Sequence, residues 1–395
     1  GLQITLSVGT MRAAVILALA VAVSTAQTDI YGDTSDSTDY GLPETTPANA
    51  DPADSYCTCE PGSIYLDIVF ITDTSADMTT KTVSDATATI QSVLYSLSFG
   101  TNVYQSNVAA LAYGDNVQVV KNFGSLKSIS DVSSFNLPYL GGKATKMTEA
   151  ILQASSMISA NERSYTRGVI VLLSKSFNQL DATNIKEAAE SFRNDGGIFI
   201  TIDYATGQGI KGLEDIASPG FYLNDVDANK EKLIPDVIYA LCDANCFCPD
   251  GLVAYNVPDA RGRELPLGCY HVADVAAVYE AADQNCQRQQ GFVATVHNDD
   301  KNFFMLSMFP QKARYWLGLR TSNNGNTLTW ADGSSDPYTW WAQSNPVNGQ
   351  NCVYGQQTSG LNSRWYSAPC TDPLKNSMTY ACQLRPCDSE YYCWT

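Results

Sequence analysis

Side chains that could perform acid-base or nucleophilic chemistry are scarce in this sequence of 395 residues. It holds two histidines, His271 and His297, and it has no nucleophile elbow, HExxH zinc motif or phosphate-binding loop. Asp73 and Asp77 share one short loop and could form an acid-base pair, but their oxygens suit a metal or salt-bridge site better. We therefore expect a binding protein rather than an enzyme.

The charge balance narrows the class of partner. Lys and Arg number 24 against 41 Asp and Glu, which gives a formal net charge of -17. Nucleic acids bind proteins through clustered cations that displace counterions, so we expect no nucleic-acid partner. Beyond the N-terminal segment, no apolar run is long enough to span a membrane, and we expect no membrane span.

The twelve cysteines are unevenly distributed along the chain. Cys57 and Cys59 come first, and the other ten lie between Cys242 and Cys393. In an exported chain an even number of cysteines indicates disulfide bonds. The long stretch without cysteine must be stabilised by its own apolar core, whereas disulfides can hold the C-terminal part together.

The N-terminal segment is typical of an exported protein. Met11 and Arg12 precede the apolar run 13–23 and a stretch of small residues that ends at Ala26, which predicts a signal peptide over residues 11–26. We treat residues 1–10 as upstream sequence. Residues 27–56 are rich in Asp, Thr, Ser and Pro and predict an acidic disordered linker. We expect a secreted, extracellular protein.

The stretch that follows alternates apolar runs with amphipathic segments. Strands are predicted at 65–72, 108–113, 117–123, 168–174 and 197–203. Helices are predicted at 78–97, 146–159, 182–193 and 230–241. Strands that alternate with helices favour a doubly wound α/β fold, a mostly parallel sheet covered on both faces. Such sheets bind ligands at the carboxyl ends of their strands.

Two loops of this α/β region carry family motifs. Asp73-Thr74-Ser75-Ala76-Asp77 follows the first predicted strand, and Gly141-Gly142-Lys143-Ala144-Thr145 comes later in the chain. In these residues the chain resembles the A-domain family of integrins and von Willebrand factor. The resemblance implies that oxygens of Asp73, Ser75, Asp77 and Thr145 could hold Mg²⁺ or Ca²⁺, since hard cations prefer oxygen ligands.

Lys175 departs from that family pattern, because the family has a metal-bound Asp after the corresponding strand. An inward-pointing ammonium in a partly dry site would repel a cation by on the order of several kcal/mol. It could instead take the place of the metal and pair with Asp73 and Asp77. Both interpretations stay open, and we favour the second, a site that Lys175 blocks and that holds no cofactor.

The sequence pattern changes beyond Cys248. It shows helical patterns at 274–288 and 301–308, short aromatic strands and Asn/Gly turns. This predicts an α+β fold held by disulfides. Several segments there resemble C-type lectin-like domains in order and spacing. They are Cys248-Pro249-Asp250-Gly251, Gly268-Cys269-Tyr270, Ala281–Cys286, Gly291–His297, Trp316-Leu317-Gly318-Leu319, Thr329–Gly333, Trp341, Cys352, Trp365, Cys370 and Cys382.

The resemblance also implies a pattern of disulfides, namely Cys248–Cys269, Cys286–Cys382 and Cys352–Cys370. Cys387 and Cys393 would close a small loop in the tail. The remaining four cysteines would staple the ends of the α/β region, with their pairing left open: Cys57, Cys59, Cys242 and Cys246.

Sugar-binding members of the lectin family hold Ca²⁺ with a Glu-Pro-Asn or Gln-Pro-Asp triplet, a nearby Glu and an Asn-Asp pair. The corresponding positions here are Asn345-Pro346-Val347, Gln350 and Tyr366-Ser367. No carboxylate occurs between Pro337 and Cys352, and neutral ligands alone make a weak calcium site. We therefore expect any ligand to bind without calcium.

Aromatic and amide side chains offer a ligand surface that needs no metal. Aromatic faces stack on sugars and anchor protein interfaces. The candidate ligand-binding residues are Tyr338, Trp340, Asn345, Asn348, Gln350, Asn351 and Tyr366. The tryptophans at family motif positions are expected in the core: Trp316, Trp330, Trp341 and Trp365.

The sequence thus predicts an A-like region (57–246), a lectin-like region (247–386) and a short tail (387–395). We expect a secreted recognition protein that binds carbohydrate or protein ligands. Its resemblance to invertebrate, nematode-like proteins that join two such domains implies a role in host defence or in contacts with extracellular surfaces. The alternatives are an extracellular-matrix or adhesion protein whose A-like region binds protein, and a calcium-dependent lectin.

Overall fold

The computed structural model describes residues 57–161, 163, 165–204, 209–224, 230–322, 327–335, 337–359 and 362–393. The predicted upstream segment, signal peptide and acidic linker lie outside these residues. The described chain from residue 57 onward belongs to one compact unit. Within it, no helix has the length and apolar character needed to cross a membrane.

The A-like region is built on six strands. They are β1 (Asp67–Asp73), β2 (Asn107–Tyr113), β3 (Val117–Lys121), β4 (Gly168–Ser174), β5 (Ile198–Asp203) and β6 (Tyr222–Asn224). The sheet order is β3-β2-β1-β4-β5-β6. All neighbours pair in parallel except β3, which runs antiparallel to β2 at the edge. The predicted mostly parallel sheet is confirmed.

Helices accompany this sheet in the described part of the region. They are α1 (Thr80–Ser96), α2 (Ile129–Ser133), α3 (Met147–Ala160), α4 (Ala182–Asn194), α5 (Lys211–Ile216) and α6 (Lys230–Ala244). Short 3-10 turns lie at Pro61–Ser63 and Gln179–Asp181. The four long helices were predicted. The pattern missed α2, α5 and β6, because elements this short do not complete a recognisable hydrophobic period.

The central strand β1 shows why the fold needs helices on both faces. Ile68 and Phe70 pack into the core that includes α1 and α6, whereas Val69 and Ile71 pack into the core that includes α3 and α4. All four side chains are buried. Because successive side chains of a strand point to opposite faces, a continuous apolar run fits only a sheet covered on both sides.

The lectin-like region is built on eight strands and two helices. The strands are β7 (Val253–Pro258), β8 (Glu264–Val272), β9 (Phe292–Val293), β10 (Arg314–Ser322), β11 (Thr327–Trp330), β12 (Cys352–Ser359), β13 (Asn362–Ala368) and β14 (Thr379–Leu384). The helices are α7 (Tyr279–Arg288) and α8 (Asp299–Met308). The strands follow the order β13-β12-β10-β14-β8-β7, with β11 on β10 and β9 on β14. The predicted α+β fold is confirmed.

Six disulfides connect all twelve cysteines. They are Cys57–Cys246, Cys59–Cys242, Cys248–Cys269, Cys286–Cys382, Cys352–Cys370 and Cys387–Cys393. Four of these pairs are the ones that the family resemblance and the tail spacing implied. The first two settle the pairing that the sequence left open, and they tie the start of the A-like region to its end.

The two regions pack directly on each other. Arg263, the residue before β8, is buried and forms an ion pair with Asp243 of α6, and its Nε donates to the carbonyl of Gly220 at 3.0 Å. Its guanidinium lies 4.9 Å from the ring centre of Phe221. Burial raises the pKa of Asp243, and the charge of Arg263 opposes that shift. A lectin-like strand is therefore anchored in the A-like region.

The tail also packs on the A-like region. The ring centre of Tyr392 lies 4.8 Å from that of Tyr65, and the Tyr65 hydroxyl donates to the carbonyl of Tyr391 at 3.4 Å. The backbone N–H of Thr58 donates to Oδ2 of Asp388 at 2.9 Å. The start and the end of the described chain are therefore neighbours.

Candidate functional site

The carboxylate of Asp73 lies at the carboxyl end of β1 and is fully buried. Its Oδ1 accepts the N–H of Ser75 at 3.0 Å, and the hydroxyls of Ser174 and Ser176 lie 3.0 and 3.3 Å from its Oδ2. Burial raises the pKa of Asp73, and hydrogen bonds from the three serines offset only part of that effect. Protein donors thus surround the central carboxylate of the predicted metal loop.

The Gly-Gly turn packs on this loop, as its family motif implied. The N–H of Ala76 donates to the carbonyl of Gly142 at 2.9 Å. Gly142 has a φ of 68°, and a Cβ there would lie 2.1 Å from the Asp115 carboxylate. Only glycine fits this position. The turn leads into Thr145, whose side chain is exposed.

Lys175 does not make the predicted ion pair with Asp73 or Asp77. Among the residues that the structure describes, no carboxylate lies within 4.0 Å of its ammonium. Ser174 and Ser176, on either side of this lysine, direct their hydroxyls at Asp73. Two serines, and not Lys175, therefore occupy the space beside the carboxylate.

The side chains of this loop do not fit a divalent cation. Both oxygens of Asp73 already accept protein hydrogen bonds, and Asp77 is exposed. The described residues contain no group of three His, Cys, Asp or Glu side chains placed to hold a metal ion. Mg²⁺ requires near-octahedral oxygens with carboxylate charge, whereas this loop is a hydrogen-bonded turn.

The predicted calcium positions of the lectin-like region are joined by one serine. The Oδ1 of Asn345 accepts the N–H of Ser367 at 3.0 Å, and the Ser367 hydroxyl lies 3.2 Å from Oε1 of Gln350 and 3.4 Å from Oδ1 of Asn345. That hydroxyl also accepts the N–H of Val347 at 2.7 Å. The two amide oxygens that could face a cation therefore face Ser367.

The other two amides of this loop project outward. The side chains of Asn348 and Asn351 are exposed. The backbone carbonyl of Asn351 accepts the N–H of Thr321 at 2.9 Å, which ties the loop to β10. Their side-chain amides are therefore accessible to a ligand.

The candidate aromatic residues form two clusters instead of the single cluster that the sequence predicted. Tyr338 and Trp340 are stacked with ring centres 6.4 Å apart, and the Arg364 guanidinium lies 5.1 Å from the ring centre of Trp340. Tyr366 instead stacks on Tyr354 at 5.4 Å. Neighbouring residues of a strand face opposite sides, so Tyr366 lies on the other side of β13 from Trp365, which packs against Tyr338.

We call the Tyr338, Trp340 and Arg364 group the aromatic surface. Its members are half-buried or exposed, and the Tyr338 hydroxyl donates to Oδ1 of Asp299 at 2.6 Å. Burial and this carboxylate raise the pKa of Tyr338, so the hydroxyl stays protonated. The surface is thus held in place by a charge-assisted hydrogen bond and a cation-π contact.

Of the four tryptophans expected in the core, Trp316, Trp330 and Trp365 are at most 1% exposed. Trp341 is half-buried and packs against Trp365 at 6.2 Å between ring centres. It is thus a boundary residue, because its loop covers the edge of the core.

His297 lies beside an acid and a hydroxyl in the lectin-like region. Its Nε2 lies 2.9 Å from Oδ2 of Asp332 and 3.4 Å from the hydroxyl of Ser334. A nucleophile relay needs the acid and the hydroxyl on opposite ring nitrogens, and here both contact the same nitrogen. The ring packs on Trp330 at 4.5 Å, which indicates a structural role.

Ser174, Ser176 and Ser367 were not among the predicted site residues, whereas Ser75 was. The sequence could have pointed to two of them. Ser174 stands next to the position where the A-domain family has an acidic ligand, and Ser367 stands at such a position of the lectin family. A short hydroxyl at such a position can satisfy the oxygens that a cation would otherwise satisfy. Ser176 carried no comparable signal.

Residues 67–236 match the von Willebrand factor type A domain, and residues 276–383 match the lectin C-type domain. The C-type lectin domain-containing protein 160 of Caenorhabditis elegans is 24% identical over 365 residues. That match covers 85% of this chain and 56% of the relative, so the chain spans little more than half of the relative's length.

Shorter matches cover the lectin-like region. The alpha-N-acetylgalactosamine-specific lectin of Patiria pectinifera is 24% identical over 127 residues, which is 29% of this chain and 73% of that protein. Among solved structures, human lithostathine is 22% identical and covers 35% of this chain and 99% of its own, with a TM-score of 0.29.

Proposed function

The chain carries a von Willebrand factor type A domain followed by a C-type lectin domain, and we propose that it is a secreted recognition protein whose lectin domain binds ligand without calcium. Such domains support an extracellular role in binding carbohydrate or protein. The six disulfides agree with an oxidising compartment. Binding, and not catalysis, is the proposed activity.

The contacts of Ser367 carry the proposal of calcium independence. Its hydroxyl and backbone N–H contact Asn345 and Gln350, the two amides at the family's calcium positions. Calcium takes six to eight oxygens and gains affinity from carboxylates, and this loop has none. A cation would have to displace these hydrogen bonds and would receive only neutral oxygens in return.

The aromatic surface is the proposed ligand site. Trp340 and Tyr338 are partly exposed aromatic rings, and the exposed amides of Asn348 and Asn351 follow them along the chain. Sugar rings combine apolar C–H faces with hydroxyls, so stacking together with amide hydrogen bonds suits them. A carbohydrate is therefore the ligand class that we favour for this site.

A glycan array probed with the full chain, in calcium and in chelator, tests this function. We expect the same glycans to bind in both conditions. Trp340→Ala should weaken binding to the best glycan by about tenfold, the loss expected for a stacking contact. Tyr366→Ala is the matched control, because Tyr366 lies in the other aromatic cluster. Binding that disappears in chelator would support the calcium-dependent lectin instead.

One observation favours the adhesion alternative. Asp77, Thr145 and Lys175 leave polar side chains around the carboxyl end of the A-domain sheet, where doubly wound sheets bind partners. If this end binds protein, Asp77→Ala should reduce capture of the chain on extracellular-matrix proteins while its glycan binding is unchanged. Capture that is lost when the matrix is treated with glycosidases would assign adhesion to the lectin domain.

A further inference from the structure

Two cavities flank a single arginine where the A domain and the lectin domain meet. Their volumes are about 430 and 480 Å³, within the range of small-molecule sites. Arg167 and Cys248 line both cavities. Residues of the lectin domain complete the walls, among them Pro249 in the first and Pro266 in the second. Domain junctions are common locations for ligand sites.

The hydrogen bonds of Arg167 involve only part of its guanidinium. Its Nη1 lies 3.2 Å from the carbonyl oxygen of Cys246 and 3.5 Å from that of Ala244. The guanidinium carbon lies 5.4 Å from the ring centre of Phe247. Among the described residues, neither Nε nor Nη2 has a hydrogen-bond partner, and no carboxylate pairs with this side chain.

Two other arginines at the same junction are paired with carboxylates. Arg163 pairs with Asp67 at 2.8 Å, and Arg263 pairs with Asp243. Burial lowers the pKa of Arg167 to about 10, which leaves it charged at neutral pH but without a counter-charge. An unpaired, partly desolvated cation costs folding free energy, and an anion beside it would offset that cost.

We propose that the junction cleft binds a saccharide that carries one carboxylate or sulfate, with the anionic group on the Nε and Nη2 donors of Arg167. Two parallel N–H donors match the spacing of two oxygens in such a group, and Phe247 and the carbonyls at Nη1 already orient the guanidinium. This site is separate from the aromatic surface, so it does not depend on the function proposed for that surface.

The rest of the first cavity suits such a ligand. Ser155 and Ser159 offer hydroxyls for sugar hydroxyl groups, and Phe192 offers an apolar wall. The exposed carboxylates of Asp195 and Asp250 also line this cavity and would repel a polyanion. The cleft should therefore select a singly charged saccharide over a highly sulfated polymer.

Saturation-transfer NMR and calorimetry on the full chain test the proposal at constant ionic strength. The probes are sialyllactose, a monosulfated galactose and neutral lactose. We expect one of the two anionic sugars to bind and lactose to bind at least about tenfold more weakly, because a charge-assisted bidentate contact is worth that factor or more. Which anionic sugar binds distinguishes a carboxylate from a sulfate.

Variants locate the site. Arg167→Gln should abolish the preference for the anionic sugar. Arg167→Lys should weaken it, because an ammonium keeps the charge but lacks the two parallel N–H donors of a guanidinium. Ser159→Trp places a large ring at an exposed position of the first cavity and leaves residue 167 unchanged, so it tests the site even where Arg167→Gln unfolds the chain. Arg364→Gln on the aromatic surface should leave the preference intact. Absence of anion-dependent binding, or binding unchanged in both Arg167→Gln and Ser159→Trp, would overturn the proposal.

Discussion

In both domains oxygen atoms lie close together at the positions where the resembled families hold a cation. The two domains satisfy these oxygens with different hydrogen-bonding groups. In the A domain a buried carboxylate, Asp73, accepts hydrogen bonds from Ser174 and Ser176. In the lectin domain the neutral amides of Asn345 and Gln350 are joined by Ser367. Serine hydroxyls stand in for the cation at both sites, but only the A domain retains a negative charge.

Because of that difference in charge, the two loops should need different changes before they could bind a metal ion. A buried carboxylate attracts a cation and is destabilised without one, as the raised pKa of Asp73 indicates. Neutral amides do neither. The A-domain loop therefore lacks one well-placed acidic neighbour, whereas the lectin loop lacks every charged ligand.

The largest expected effect comes from adding that neighbour. Ser176→Asp places a second carboxylate next to Asp73 and should lower the free energy of unfolding by about 2–4 kcal/mol without metal, because like charges repel in a partly buried site. Saturating Mg²⁺ should restore the loss, since a ligand of the native state raises its stability. Thermal melting with and without Mg²⁺ measures both effects.

Lys175→Asp is the matched control for that experiment. Ser174 and Ser176, and not residue 175, contact the Asp73 carboxylate, so this variant should melt without dependence on Mg²⁺. A melting temperature that rises with Mg²⁺ in the wild type would show that the loop already binds a cation, and it would remove the contrast between the two domains.

A smaller effect is expected in the lectin domain. Ser367→Ala removes a hydroxyl that contacts Gln350 and accepts the N–H of Val347, and it should cost about 1–3 kcal/mol of unfolding free energy. Urea unfolding measures the loss. The variant exposes no charged group, so calcium should not restore the lost stability. This differs from Ser176→Asp, for which Mg²⁺ should restore it. Recovery in calcium would show that the amides form a cation site once the serine is removed.

The smallest expected effect is a dependence on pH that separates the two domains. The pKa of Asp73 is raised in the folded state, so the folded protein holds this proton more tightly than the unfolded chain. Its contribution to stability is present below the ordinary pKa of an aspartate and is lost as the pH rises through the raised value. Asp73→Asn should remove this component from the pH profile of the unfolding free energy, and Ser367→Ala should leave it unchanged. Identical profiles for wild type and Asp73→Asn would contradict the assignment.

The sequence predicted the order of the two domains and most of their elements. Fully apolar runs such as 68–71 can only be strands covered on both faces, and the family motifs placed the loops around Asp73 and Gly142. The lectin-domain tryptophans were equally informative, because Trp316 and Trp365 occupy core positions of a recognisable pattern.

Side-chain direction beyond the end of a strand was not predictable. Lys175 was expected to face Asp73, but the chain turns so that the serines on either side do so. The split of the aromatic residues into two clusters depended on how the loop that carries Tyr338 and Trp340 packs against β13, and no local pattern encodes that packing. The junction around Arg167 and Arg263 depends on packing between distant segments, which no local pattern encodes.

The pairing of Cys57 with Cys246 and of Cys59 with Cys242 has a mechanical consequence. Tension applied between the segment before Cys57 and the lectin domain would pass through these covalent bridges and would bypass the A-domain sheet. The A domain would then carry no load while the lectin domain is pulled against a surface. The ligand affinity of the A domain should therefore be insensitive to shear. A domain whose two ends transmit the force through its own sheet would not have this property.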